Sequence, residues 1–411
     1  MRCKLGNIIK INQYTYTSHD QWKYVNYLDT GNITKNVIDT VQYINLSKEV
    51  LPSRARRKVK KNSILYSMVR PNQSHYGIVK DNIDNFLVST GFAVIDVDTN
   101  KTCPAFIYYM LTQQKMTEHL QAIAEQSVSA YPSIKPSDIE NLDIILPGLL
   151  QQQKIAKLLG ALDDKIELNR QINTNLEQQA QAIFKSWFID FEPFGGTMPK
   201  DWRITSLSDI AEFIGGYSYK GNELAHSNIG MATIKNFERN GGFKLNGYKE
   251  IIPSIKFKAT QQAELFDTLV AHTDLTQNAD VIGNAEIILS KASYQKIIFS
   301  MDLVKVIPKK GCNLSKFMLA ALLKTKDFKS HCLGYINGTT VLHLSKQALP
   351  EYHLAFPDNP TVLQPLDALI TAIYKQLVIN FENTITLAIL RDTLLPKLMS
   401  GEIDVSKIEL E

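Results

Sequence analysis

The sequence has few cysteines, and none of them are paired at metal-binding spacing. Cys3, Cys103, Cys312 and Cys332 stand far apart, and no CxxC pair occurs. This excludes a zinc ribbon and a thioredoxin-type redox site. Scattered free cysteines are typical of a reducing compartment, so we expect a cytoplasmic protein.

Motifs for nucleotide cofactors and for metals are also missing. The sequence contains no GxxxxGK(S/T) phosphate loop and no GxGxxG loop after a strand. The Asn-Pro-Pro-Tyr motif of amino-methyltransferases is absent, and Asn359-Pro360 is the nearest approach to it. The histidines are dispersed, and a strand-end pair such as Asp96 and Asp98 is usually solvated. We therefore expect no catalytic residue, no metal and no cofactor bound by this chain.

Long apolar runs and a strong net charge are lacking as well. The longest apolar stretch, near Ile144–Leu150, contains Pro147 and is too short to span a bilayer. The first residues lack the apolar segment of a signal peptide. A net charge of +4, from 45 basic and 41 acidic residues, permits a nucleic-acid partner without requiring one.

The sequence does contain two long stretches with a heptad pattern. In the first stretch, apolar residues recur at alternating spacings of four and three: Ile155, Leu159, Leu162, Ile166, Leu176, Ala180, Ile183 and Trp187. Asn169 and Asn173 interrupt this seam. The period predicts a helix that packs against a partner helix, and a buried Asn fixes the register of such a pair.

The second stretch repeats the first at an offset of 211 residues (366 − 155 = 211). Its seam positions are Leu366, Ile370, Ile373, Leu377, Asn380, Thr384, Leu387, Arg391, Leu394 and Leu398. The polar break therefore recurs, at Asn380 and Thr384. The region before each helix repeats too, because the run Leu5–Ile8 resembles Leu207–Ile210. A period this long indicates a duplicated domain.

The duplication predicts four segments, namely globular segments at 1–147 and 194–357 and helices at 148–193 and 358–411. Each globular segment mixes short β-rich runs with an apolar helical stretch, such as Ala105–Ala124. The expected class is α+β, with two mixed α/β domains in a pseudo-two-fold internal repeat.

Connectivity predicts how the two helices pair. The ends of a compact domain usually lie close together, so the second helix should begin where the first stops and run back antiparallel. Alignment centre to centre places Asn173 against Asn380 and Asn169 against Thr384. The resulting coiled coil would be about 50 Å long at about 1.5 Å per residue.

Two runs of the chain carry a resemblance to a known family. LLGALDDKIELNR at 158–170, followed by FKSWFIDF at 184–191, resembles the central spacer of the specificity subunit (HsdS) of type I restriction–modification systems. LRDTLLPKLMSGE at 390–402 is similar to the end of these subunits. The order of a target recognition domain, a spacer helix, a second target recognition domain and a second spacer helix covers the whole chain.

The resemblance implies a non-catalytic subunit that reads double-stranded DNA. Each target recognition domain would read one half of a split, asymmetric sequence. The helices would space the two halves and dock two methyltransferase subunits (HsdM), which carry S-adenosylmethionine. Two motor-nuclease subunits (HsdR), which use ATP and Mg, would join for restriction. Base-reading residues vary with the target in this family, so the candidates below come from this sequence alone.

The first candidate group is a basic tract without an acidic residue: Arg54, Arg56, Arg57, Lys58, Lys60 and Lys61. Such side chains bind DNA phosphates and set the salt dependence without reading sequence. A solvated loop is the alternative interpretation.

The second group follows a strand-like run in each domain. It comprises Arg70, Asn72, Gln73, His75 and Tyr76 in the first domain and His272, Thr273 and Gln277 in the second. Asn and Gln can form bidentate bonds with adenine, and Arg can do so with guanine. An ordinary polar turn is the alternative.

The third group contains Tyr217, Tyr219 and Lys220, which would stack on DNA or bond to it unless the tyrosines form a buried pair. It also contains Thr339 and Thr340 in a small polar turn. Two other functions remain open. A standalone modification enzyme disagrees with the missing motifs, and a coiled-coil adaptor without DNA affinity disagrees with the basic tract and the polar loops.

Overall fold

A computed structural model describes residues 2–127, 131–239, 241–276, 278–312 and 314–406. The chain forms two compact units. Unit 1 contains the residues up to Ile166 together with those from Thr386 onward, and unit 2 is Glu167–Ile385. Each unit therefore combines one globular segment with parts of both long helices.

Unit 1 is built on two four-stranded sheets. One has the order Gln42–Asn45, Tyr24–Leu28, Phe86–Ser89, Ala55–Lys58, and the other the order Ile9–Ile11, Phe92–Val97, Ile64–Ser67, Tyr76–Ile78. Within the first sheet the pair Tyr24–Leu28 and Phe86–Ser89 is parallel, and all other pairs are antiparallel. Two-stranded pairs join Arg2–Lys4 to Asp143–Ile145 and Ile33–Thr34 to Val37–Ile38.

Unit 2 repeats this topology. One sheet has the order Lys249–Glu250, Ile229–Ala232, Lys296–Phe299, Gln262–Ala263, again with a parallel central pair, and the other the order Ala211–Gly215, Leu303–Pro308, Thr268–Ala271, Ala285–Ile287. The strand Trp202–Ser206 pairs with His353–Pro357. A three-stranded sheet of Thr273–Asp274, Leu342–Leu344 and Ile336–Asn337 is added.

Short helices accompany the sheets of each unit. They are Pro104–Thr112, Gln114–Glu125 and Pro136–Glu140 in unit 1, and Leu207–Ile210, Lys316–Leu323 and Lys326–Leu333 in unit 2. Pro104–Thr112 and Lys316–Leu323 pack against the second sheet of their units. The helical stretch expected at Ala105–Ala124 is thus two helices. It breaks at Gln113, whose backbone is extended (ψ 142°). In unit 2 the matching break is at Thr325, which caps the next helix by accepting a hydrogen bond from the Phe328 N–H.

The two heptad stretches form the central helix, Leu149–Phe188, and the C-terminal helix, Gln364–Ser400. Their apolar seams enter the cores, with Ile155, Leu159 and Leu398 in unit 1 and Ala180 and Ile370 in unit 2. The expected α+β class, the internal repeat and the antiparallel long helices are therefore confirmed.

The C-terminal helix also has the length and composition of a membrane span. The segment Pro360–Ser400 has a mean hydropathy of 1.3 over its most apolar window. However, Leu366, Ile370 and Leu377 are buried in the core of unit 2. Core packing accounts for part of this apolar character, since 33% of the window is buried.

Candidate nucleic-acid interface

In unit 1, a surface forms where the strand Ile64–Ser67 ends. The Ile134 N–H donates to the Met68 carbonyl, and the Arg70 N–H donates to the Pro132 carbonyl, both at 2.9 Å. A segment far along the chain is thereby paired beside the residues that leave the strand. The candidates of the second group are consequently fixed in place by backbone hydrogen bonds.

This pairing brings Tyr131 beside Arg70. The Arg70 guanidinium lies 5.0 Å from the centre of the Tyr131 ring, within the range of a cation–π contact. Tyr131 is 58% exposed. Sequence reasoning missed Tyr131, because only the tertiary pairing shows that it is Arg70's neighbour.

Asn72 and Gln73 lie in the 3-10 turn Pro71–Gln73 with exposed side chains. The backbone of this turn is held on both sides. The Gln73 N–H donates to the Arg70 carbonyl at 2.9 Å, and the Asn72 N–H donates to Oε1 of Gln121 at 3.2 Å. The turn therefore presents two amide side chains from a fixed backbone.

His75 and Tyr76 face inward. Nδ1 of His75 lies 2.6 Å from the Ile33 carbonyl, and the side chain is half-buried. Tyr76 is only 7% exposed, with its ring centre 5.9 Å from that of Tyr66 and 6.3 Å from that of Tyr108. The expected DNA contact of Tyr76 is therefore wrong, because its ring belongs to the core.

The basic tract has acidic neighbours that the local sequence does not reveal. Lys58 forms an ion pair with Asp20, and Nζ of Lys60 lies 3.6 Å from a carboxylate oxygen of Asp96. Arg57 is half-buried, and burial lowers its pKa. Three members of the tract, Arg54, Arg56 and Lys61, are exposed without a carboxylate partner among the described residues. The six side chains therefore do not form one uniformly unpaired basic patch, and their contact with phosphates stays a prediction.

The two ends of the basic tract lie near opposite ends of the strand Ile64–Ser67. The Thr90 N–H donates to the Arg54 carbonyl, and the Met68 N–H donates to the Gly91 carbonyl. Residues 90 and 91 lie in one turn, so this turn alone separates Arg54 from Met68, which follows the end of the strand Ile64–Ser67 (the strand exit). In contrast, the Lys60 N–H donates to Oγ of Ser63, at the start of that strand. Only the Arg54 end therefore adjoins the Arg70 surface.

In unit 2, the corresponding strand exit carries His272. The Leu344 N–H donates to the His272 carbonyl at 2.9 Å, and Thr273 is paired with His343 in the next strand. Thr273 is buried within this sheet, so the expected DNA contact of its side chain is wrong. Gln277 lies outside the described residues.

Two basic side chains, those of His343 and Lys346, lie close enough to His272 to influence its pKa. Burial lowers the pKa of His272, the charges of His343 and Lys346 lower it further, and Asp302 opposes them. His343 and Lys346 are exposed. Sequence reasoning missed both, since neither belongs to a basic run.

The polar turn of unit 2 adjoins the same basic side chains. Asn337 pairs with His343 across the three-stranded sheet, and Thr339 and Thr340 are exposed in the turn that follows. Gly338 makes this turn with φ of 103°, where a Cβ would meet the Val341 carbonyl. The sheet thus brings together candidates that are about 70 residues apart in sequence.

Tyr217, Tyr219 and Lys220 form a structural corner. Tyr217 is 5% exposed and donates to Oε1 of Glu223 at 3.2 Å, so its expected DNA contact is wrong. Tyr219 packs partly buried against the same cluster, and Lys220 is exposed. Hydrogen bonds from the Ser254 hydroxyl and the Lys220 N–H lower the pKa of Glu223 to about 2.

The polar break of the long helices forms a hydrogen-bonded layer in unit 2. Asn380 donates from Nδ2 to Oδ1 of Asn173 at 2.9 Å, and Asn173 donates from Nδ2 to the Leu377 carbonyl at 3.2 Å. Thr384 instead donates to the Asn380 carbonyl one turn back. Buried Nδ2 of Asn169 has no hydrogen-bond partner among the described residues. These contacts show no hydrogen bond between Asn169 and Thr384, and their expected shared layer stays a prediction.

Charged contacts fix the helices within each unit. In unit 1, Arg391 donates to Asp163 at 2.6 Å, and Tyr109 donates to the other oxygen of that carboxylate. In unit 2, Nζ of Lys324 lies 2.8 Å from both Glu177 and Glu286. These contacts join each globular segment to its part of the long helices.

Among the described residues, no group of three or more His, Cys, Asp or Glu side chains converges. Asp96 is buried and accepts a hydrogen bond from the Ser63 hydroxyl at 2.6 Å. Asp98 pairs with Lys101. Both carboxylates are thus engaged by protein groups.

Several known proteins are similar to this chain. The type I restriction enzyme HindI specificity subunit of Haemophilus influenzae is 40% identical over 167 residues, which cover 41% of this chain and 36% of that protein. The MjaIX specificity subunit of Methanocaldococcus jannaschii is 25% identical over 325 residues, covering 74% and 70%. The crystal structure of a type I restriction–modification S subunit from M. genitalium has a TM-score of 0.52 at 16% identity and covers 97% of this chain and 95% of that one. That structure supports the fold.

A family model completes the comparison. The model described as type I restriction modification DNA specificity domain matches residues 2–178 and 199–391. The two matches correspond to the two repeats that the sheets display. The protein therefore belongs to the type I restriction–modification specificity family, as a specificity subunit with two recognition domains.

Proposed function

We propose that this chain is the non-catalytic subunit that reads a bipartite, asymmetric DNA site for a type I restriction–modification complex. The observation that carries the proposal is the matched strand exit of the two units. Each exit presents polar and cationic side chains, with Arg70, Asn72 and Gln73 in unit 1 and His272 and Lys346 in unit 2. Equal backbones with different side chains suit two different half-sites.

The proposed contacts divide into two kinds. Exposed cations such as Arg54, Arg56 and Lys61 would bind phosphates and supply salt-dependent affinity. Side chains at the strand exits would contact base edges and supply specificity. Lys58 is proposed only as a structural residue, because it is paired with Asp20.

The proposed partners are methyltransferase and motor-nuclease subunits. The long helices support this, since several apolar side chains on them are exposed: Leu168, Ile172, Leu369, Ile379, Ile389 and Leu390. A contiguous exposed apolar patch typically marks a protein interface, and we propose that these side chains contribute to one. S-adenosylmethionine, ATP and Mg would be bound by the partner subunits, in the cytoplasm.

Sequencing of modified adenines would test this proposal. Cells that lack other adenine methyltransferases would express this chain with its methyltransferase partner, and cells that express the partner alone would be the control. The expected result is one gapped motif whose two halves differ. Modification without a gapped motif, or an unchanged motif in the control cells, would refute the proposal.

A further inference from the structure

The strand exits of the two units can be compared atom by atom. In unit 1 the Ile134 N–H donates to the Met68 carbonyl, and in unit 2 the Leu344 N–H donates to the His272 carbonyl, both at 2.9 Å. Met68 and His272 also donate in equivalent ways, to the carbonyls at 91 and 302. The two backbones are therefore equivalent at this point.

Two residues further along, the units carry opposite charges. The position is Arg70 in unit 1 and Asp274 in unit 2. Asp274 is buried and accepts hydrogen bonds from the N–H groups of Thr276, Val281 and Ile282. Its carboxylate is thus occupied in organising its own loop. Arg70 is exposed, and its guanidinium lies over the Tyr131 ring.

The backbone that presents Arg70 is strained and firmly held. Arg70 and Ser74 have φ of 49° and 56°, a left-handed conformation that is unfavourable for residues with a Cβ. The hydrogen bond from the Arg70 N–H to Pro132 helps to maintain it. Strain of this kind is concentrated at ligand-binding segments, where it fixes a side chain in position.

A cation–π contact with Tyr131 leaves the hydrogen-bonding edge of this exposed guanidinium available. The planar group can contact an aromatic ring with one face while its N–H donors point outward in the plane. Two of these donors match O6 and N7 of guanine in the major groove. A side chain held in advance also loses less conformational freedom on binding.

We propose that Arg70 reads a guanine in the half-site of unit 1 and that Tyr131 is the positioning residue for its guanidinium. Unit 2 has Asp274 at the equivalent place, so it reads its half-site with other side chains. This inference rests on the proposed function. Beyond the proposed function, it specifies which base Arg70 reads, in which groove of the DNA, and that the two half-sites are read by different side chains.

The test uses the full chain assembled with its methyltransferase partner, after the modified motif has been determined. Arg70→Ala should relax one guanine position in one half-site. Replacing that guanine by 7-deazaguanine removes the N7 acceptor and should weaken wild-type binding about tenfold. The same replacement should have no effect on the Arg70→Ala complex. Tyr131→Ala should reduce the loss of affinity that 7-deazaguanine causes, and Tyr131→Phe should retain this loss, because phenylalanine preserves the ring face.

Matched variants control for charge and for exposed aromatic surface. Arg203→Ala removes an exposed arginine of unit 2, and Tyr43→Ala removes an exposed tyrosine of unit 1. Both variants should lose as much affinity as the wild type when 7-deazaguanine replaces the guanine.

A relaxed motif without guanine, or an equal 7-deazaguanine penalty with and without Arg70, would overturn the inference. A wild-type penalty in Tyr131→Ala would overturn the positioning role. If the wild-type complex modifies no gapped motif, the proposed function itself fails. Should Arg70→Ala not fold, the wild-type, Tyr131→Phe and Tyr131→Ala complexes still decide the outcome.

Discussion

Nδ2 of Asn380 donates to Oδ1 of Asn173 at 2.9 Å, and this contact joins the two long helices within unit 2. Asn173→Leu should destabilise the chain by about 1–3 kcal/mol, because the Asn380 amide is left buried without its acceptor. The double variant Asn173→Leu with Asn380→Leu should recover most of this loss, since an apolar layer suits the seam. Urea denaturation would measure both, with the exposed Asn175→Leu as control. Equal losses in the single and double variants would contradict this reading.

The same double variant should affect register. A buried Asn layer favours one alignment of two helices, whereas a continuous apolar seam permits others. We therefore expect the gap between the two halves of the modified motif to become heterogeneous, while both halves remain readable. An unchanged single gap would show that other contacts fix the register.

Lys324 is expected to be essential for the stability of unit 2. Burial and the approach of Glu177 raise the pKa of Glu286, while Lys324 opposes that rise. Lys324→Met would leave two carboxylates without their cation, and breaking a buried pair in this way costs about 3–5 kcal/mol. Thermal melting would show the loss. The exposed Lys326→Met, two residues away, should melt like the wild type; equal behaviour of the two variants would contradict the prediction.

Binding to the half-site of unit 2 should depend on pH through His272. Its pKa is lowered in the free protein by burial and by His343 and Lys346, with Asp302 opposing. Contact with an acceptor on a base edge, the role proposed for this strand exit, would favour the charged imidazole, so affinity should rise as the pH falls through the range below about 6.5. His272→Gln should remove this dependence. His353→Gln, at an exposed histidine of the same unit, should leave it intact, and loss of the dependence in both variants would count against His272.

Glu223 should contribute stability that is lost in acid. Hydrogen bonds from Ser254 and the Lys220 N–H depress its folded pKa to about 2 from its ordinary value of 4.5. Its contribution is therefore present above pH 4.5 and disappears as the pH falls towards 2. Melting temperatures of the wild type and Glu223→Gln should differ at neutral pH and converge at about pH 2. A constant difference across this range would exclude the carboxylate as the cause.

Ile379 is expected to lie in the methyltransferase interface. It is 51% exposed on the C-terminal helix, where an aspartate would be tolerated in the free chain but not in an apolar contact. Ile379→Asp should greatly reduce co-purification of the methyltransferase partner without lowering the melting temperature. Ile255→Asp, at an exposed loop position of the same unit, should co-purify normally. Normal co-purification of Ile379→Asp would place the interface elsewhere.

Local patterns predicted the regular part of the molecule well. The 3.5-residue spacing of Ile155, Leu159 and Ile166 is a property of one helix, so it can be read without knowing the partner. The duplication is likewise visible in the sequence, and the sheets repeat it strand by strand. The helical breaks at Gln113 and Thr325 were not predicted, although each lies in a run of four polar residues, 112–115 and 324–327.

The candidate surface was harder to predict, because exposure depends on distant residues. Tyr76, Thr273 and Tyr217 have the side chains of a DNA-binding surface, yet each is buried in its unit. Conversely, Tyr131 and Lys346 were not noticed, since no local motif marks them. Polar residues near a strand exit can point either way, and burial of the neighbours decides which.

The sequence by itself determined the repeat, the fold class and the family, because these follow from periods and runs that adjacent residues carry. Only the tertiary structure decided which charges remain available. Lys58 is neutralised by Asp20, and Asp274 is buried in its own loop, while Arg70 stays exposed over Tyr131. The physical reason is that ion pairing and burial join residues that are far apart in the chain, and their geometry exists only after folding.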